Sequence, residues 1–87
     1  MAQIDAAIVK EQGVTFAIAV VKSYILNSPS ERERALVSFQ GLFPHMPIIL
    51  MAQDARGIPH YWGRRDIVNF LANVPMSCIP WKRYTVN

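Results

Sequence analysis

The pattern of apolar and polar positions predicts a small set of strands and helices, organised around the segment from Pro47 to Val74. Ile48 to Gln53 is a nearly unbroken apolar run, whose length and branched residues predict a strand covered on both faces. Asp54-Ala55-Arg56-Gly57 then reads as a type I turn: an Asp at the first position bonds the backbone ahead of it, and a Gly at the fourth takes positive φ. Ile58 to Trp62 is the return strand, with Ile58, His60 and Trp62 on one face and Pro59 and Tyr61 on the other. Pro59 has no N–H for a ladder, which predicts a sheet edge. Gly63 ends the strand. Ile67, Val68, Phe70, Leu71 and Val74 then form one stripe at helical spacing, and Pro75 stops that helix.

Upstream, Val14 to Val21 alternates a bulky face (Val14, Phe16, Ile18, Val20) with a smaller one (Thr15, Ala17, Ala19, Val21), which predicts a strand that a helix can approach closely. Lys22 to Asn27 reads as a connecting loop with Tyr24, Ile25 and Leu26 packed. Ser28-Pro29-Ser30-Glu31 predicts a helix start, with Ser28 as the cap, Pro29 at the first position and Glu31 closing a capping box. Ala35, Leu36 and Phe39 then face inward, Glu31 and Arg34 pair outside, and Gly41 terminates the helix.

Two segments read in two ways. Asp5 can cap a helix that runs to Gln12, with Gly13 as its stop. Alternatively, Ile4 to Glu11 pairs with the next strand across a turn at Gln12-Gly13. Ala6, Ala7, Lys10, Glu11 and Gln12 favour the helix. Trp81 to Val86 reads as a short extra strand or as an extended arm that packs on a neighbouring subunit. The expected order is (α)-β-α-β-β-α plus a tail at 75–87, in one domain spanning 1–87. This is an α/β fold, with α+β as the alternative: a small mixed sheet with helices packed on it, in which the strand–helix–strand unit is parallel and the hairpin adds an antiparallel edge.

Composition adds two points. The chain is 52% hydrophobic and 17% charged, which places it with globular rather than disordered proteins, and so apolar a small domain predicts a partner or a second copy covering part of its surface. The net charge of +3 is uneven, because residues 55–87 hold Arg56, Arg64, Arg65, Lys82 and Arg83 against Asp66 alone.

Those five cations, interleaved with Tyr61, Trp62, Trp81 and Tyr84, form a candidate anion or nucleic-acid surface. Arg64 and Arg65 stand at a helix start, where free N–H groups also suit an anion, and Asp66 complements the same helix end. The four aromatics are equally candidate interface residues, with Trp62 and Trp81 as anchors.

Catalytic chemistry finds little support. Cys78 is the only cysteine, so an intrachain disulfide, a CxxC pair and a thiolate zinc site are excluded; flanked by Met76, Ile79 and two prolines, it is expected to be a buried, inert thiol. His45 and His60 match no metal spacing, and Asp54 and Asp66 are accounted for by a turn and a helix end. The single glycines form no phosphate loop, so no cofactor is expected. With no apolar run long enough to cross a bilayer and no basic-then-apolar leader, a cytoplasmic protein without a membrane partner is expected.

Residues 46–73 resemble the second half of a thioredoxin-like fold on Met46-Pro47-Ile48, Gly57 and Gly63: a proline opens a strand, a tight turn leads to a second strand, and a glycine precedes a helix. The resemblance implies a cis Pro47. It implies no activity, because the family's active-site dithiol is absent. The expected function is a small non-catalytic binding protein that self-associates or joins an assembly. The alternatives are nucleic-acid or anion binding, and a degenerate thioredoxin-like module that uses Cys78.

Overall fold

The computed structural model of the chain describes residues 2–11 and 13–86. Five strands form one mixed sheet in the order β4-β3-β2-β1-β5. They are β1 (Ala2–Glu11), β2 (Val14–Val20), β3 (Ile48–Gln53), β4 (Pro59–Trp62) and β5 (Lys82–Val86). β2 and β3 are parallel and every other neighbouring pair is antiparallel. The helices are α1 (Ser23–Leu26), α2 (Pro29–Leu42) and α3 (Arg65–Leu71), with a 3-10 turn at Met76–Cys78. No helix among the described residues is long and apolar enough to cross a membrane.

The sheet is covered on both faces. On one, α2 closes over Ala6, Ala17 and Ala19 with Phe39 and Phe43, together with Ile48 and Leu50; the small residues of β1 and β2 make room for the helix. On the other, Ile67 and Leu71 of α3 pack on Phe16, Ile18, Ile49 and Met51, with Ile79 from the segment before β5. β3 sits inside both layers and is buried from Ile48 to Ala52, as its apolar run predicts.

The hairpin follows the turn chemistry read from its sequence. The Gly57 N–H donates to the Asp54 carbonyl at 2.9 Å, and Gly57 takes φ +82°. β4 is an edge strand, where Pro59 leaves no ladder bond unmade. Residues 46–73 keep the strand–turn–strand–helix order behind the family resemblance, but the Met46–Pro47 bond is trans.

Several expectations are corrected. Residues 2–11 form a strand, not the favoured helix. Ala6 and Ala7 are fully buried on opposite faces, and β1 is bonded along part of each side, to β2 at Ala6–Glu11 and to β5 at Ala2–Ala6. That pairing overrides alanine's helix propensity. Gly13 takes φ +79° beside the turn; Gln12 lies outside the described residues. Asp5 caps nothing and instead accepts from Arg83 across β1 and β5.

Lys22–Asn27 contains a helical turn rather than a loop, and Tyr24 is 61% exposed rather than packed. Pro29 opens α2, but Ser28 makes no side-chain cap: its hydroxyl bonds Ser30. α2 runs through Gly41 to Leu42, and α3 ends at Leu71, short of Val74. The tail supplies β5, which replaces the arm reading. Cys78 is exposed on the 3-10 turn, not buried.

Candidate functional site

Lys82 and Arg83 lie on β5, Tyr61 and Trp62 on β4, and these are the two outer strands of the sheet. Four strand spacings of about 4.8 Å separate them by about 19 Å. Arg64 and Arg65 follow β4 at one end, and Arg56 occupies the hairpin turn at the other. The five cations are therefore spread over three places. The Arg64 Nε and NH2 groups donate to the two carboxylate oxygens of Asp66 at 2.8 and 2.9 Å, which holds the Asp66 carboxyl below its ordinary range. Arg83 is engaged with Asp5 at 3.2 Å, and Arg56, Arg65 and Lys82 are exposed.

The four aromatics also divide. Tyr84 packs edge-on against Phe43, with ring centroids 5.1 Å apart. Trp81 joins the α3-side core, and its indole N–H donates to the Met76 carbonyl at 3.1 Å. Tyr61 joins the same core, and burial pushes its hydroxyl pKa up. Trp62 alone of the four is exposed, at 38%.

Trp62 stands at a cleft of about 320 Å³ between β4, the end of β3 and α1. Ala52 and Leu26 line its apolar part, while Ser23, Asn27, Asp54 and His60 supply polar atoms. The Arg32 guanidinium lies over the Trp62 ring, 4.7 Å from its centroid, and its NH1 donates to the Leu26 carbonyl at 2.7 Å. Arg32 thus ties the first turn of α2, the end of α1 and Trp62 together. No sequence signal marks this link, which joins residues on separate elements.

Asp54 is held on several sides. Its Oδ1 accepts from the Arg56 and Ile58 backbone N–H groups at 2.8 and 3.1 Å, and its Oδ2 lies 3.0 Å from the His60 Nε2. The His60 hydrogen bond, then the backbone N–H groups, hold the Asp54 carboxyl below its ordinary range. A depressed carboxyl contributes stability above its unfolded pKa and loses it as pH falls through the native value. Asp54→Asn, which keeps a turn acceptor, is therefore expected to be less stable than wild type near neutral pH. Its deficit should shrink on acidification to about pH 2, read as the difference in urea midpoints. A constant difference would remove the charge from the explanation.

An Asp orienting a His resembles half of an acid–base site. Here the carboxylate also builds the turn, and the sequence accounts for Asp54 by that turn alone. Among the described residues, no three His, Cys, Asp or Glu side chains converge as a metal site would require. What the arrangement offers is a partly apolar recess beside an aromatic ring that Arg32 covers on one face. No family model, no curated protein and no solved structure matches this chain.

Proposed function

We propose that the protein is a small non-catalytic interaction module that engages a protein partner at the β4 edge, with Trp62 as its anchor. The observation that carries this reading is Trp62 itself: it is exposed at 38%, fixed on one face by Arg32, and beside a cleft of about 320 Å³. A pre-ordered aromatic loses little freedom on binding, which is why such residues dominate interface energetics. Ile58, 48% exposed on the same face of the hairpin, extends the apolar contact. The division of the cations favours a protein over nucleic acid, because a phosphate backbone needs a continuous basic track. A cytoplasmic setting fits a chain whose one cysteine is an exposed thiol. Fractionation of cells expressing the full chain tests that placement.

Panning a displayed peptide library on the wild type and on Trp62→Ala tests the main reading. Peptides sharing an aromatic or aliphatic anchor should emerge, and their affinity for Trp62→Ala should fall by at least about tenfold while the variant keeps its native circular dichroism. Enriched peptides that bind both proteins equally would contradict the reading.

A further inference from the structure

The two sheet edges are not equivalent. β4 is short and carries Pro59, a usual guard against edge pairing. β5 spans Lys82–Val86 without a proline. We propose that β5 pairs antiparallel with β5 of a second copy of this chain about a two-fold axis at Tyr84, which joins both sheets into one. This surface lies on the edge opposite the Trp62 cleft and does not depend on it.

The phase of the ladder decides which backbone groups are available. The Ala17 N–H donates away from β1, to the Pro47 carbonyl at 2.9 Å. Its β1 partner Ile8 therefore sits at a non-bonded position, and Ala7 and Val9 bond β2. By alternation Ala6 and Ile4 bond outward, to their partners Lys82 and Tyr84. The N–H and C=O groups of Arg83 and Thr85 consequently point away from the sheet.

The same register explains where β5 starts. Pro80 falls opposite Ile8, in the phase that must bond β1, and it has no N–H to give. β5 begins after it, at Lys82.

A two-fold pairing must let Arg83 and Thr85 meet Arg83 and Thr85 of the other copy. Centring on Arg83 sets like charges directly opposite, which is destabilising. Centring on Thr85 runs Arg83 past the end of the strand. Centring on Tyr84 sets each Arg83 opposite a Thr85, and each such pair exchanges both backbone bonds. The features around that centre suit it. Tyr84 is already fixed edge-on by Phe43, and the Arg83 charge is answered by Asp5 at 3.2 Å on the other face.

Sedimentation velocity over a concentration series tests the proposal. Wild type is expected to show a monomer–dimer equilibrium. Thr85→Lys places a cation opposite Arg83 of the other copy and should raise the dissociation constant several-fold. Thr85→Glu places an anion there and should lower it several-fold. Thr85→Pro removes an outward N–H that β1 does not use and should abolish the dimer. Trp62→Ala should dimerise like wild type, which separates this surface from the cleft. A wild type that stays monomeric throughout, or a dimer indifferent to the lysine and glutamate variants, would overturn the proposal.

Discussion

Gly63→Ala should remove a large share of the protein's stability. Gly63 has φ +154°, a backbone region that L side chains rarely adopt. A Cβ built there would lie 2.5 Å from the Ile49 Cδ1 and 3.2 Å from the Ile48 carbonyl oxygen, both in the most buried strand. The strained backbone costs about 1–3 kcal/mol and the overpacking a similar amount, so about 2–6 kcal/mol is expected. A domain of this size holds on the order of 4–13 kcal/mol in all. Gly57→Ala supplies the comparison: its φ of +82° is also unfavourable, but the nearest atom to a new Cβ is the end of the Gln53 side chain at 3.9 Å. Its expected cost is only the backbone part, about 1 kcal/mol or somewhat more. Urea unfolding of the two variants separates the terms. Equal losses would show that the close approach to Ile49 contributes nothing.

Phe43→Ala should cost a comparable amount, about 3–5 kcal/mol. Phe43 is 2% exposed and terminates α2, where its N–H donates to the Phe39 carbonyl at 2.8 Å. Its ring meets Tyr84 edge-on at an interplanar angle of 80°. The side chain thus holds the long helix against the outermost strand, and its removal leaves a cavity between α2 and β5. Amide exchange on β5 should accelerate in the variant by more than on β3, which is buried from both sides. Val37→Ala, on the outer face of the same helix at 67% exposure, should change stability by no more than about 0.5 kcal/mol. A loss below about 1 kcal/mol for Phe43→Ala would mean that the α2-side core closes without it.

What could be read from the sequence is what local chemistry specifies. β3, its turn, β4 and the start of α3 follow from an apolar run, an Asp-to-Gly turn, an edge proline and a glycine, all within one continuous segment. β1 did not follow, because Ala6 and Ala7 carry helix propensity and their burial comes from strands that lie later in the chain. Cys78 misled for a related reason: Met76 and Ile79 near it are apolar, yet a single 3-10 turn presents it to solvent.

The candidate site shows the same limit. The basic and aromatic residues of the last third look like one patch in the sequence, but α3 and the 3-10 turn intervene between β4 and β5, which form opposite edges. Of the aromatics, which are similar in sequence context, only the fold decides that Tyr61, Trp81 and Tyr84 pack inward while Trp62 stays at the surface. Arg32, which fixes Trp62, had no spacing or motif to announce it.

The two tryptophans report separately on binding at the β4 edge. Each gives one indole N–H signal in a proton–nitrogen NMR spectrum. The partly buried Trp81 indole donates to the Met76 carbonyl on the α3 side of the sheet, whereas Trp62 stands at the cleft. On titration with a peptide selected on the wild type, the Trp62 signal should shift or broaden to saturation while the Trp81 signal stays in place. Movement of Trp81 with Trp62 unchanged, or of neither while binding is detected by calorimetry, would contradict a partner site at the β4 edge.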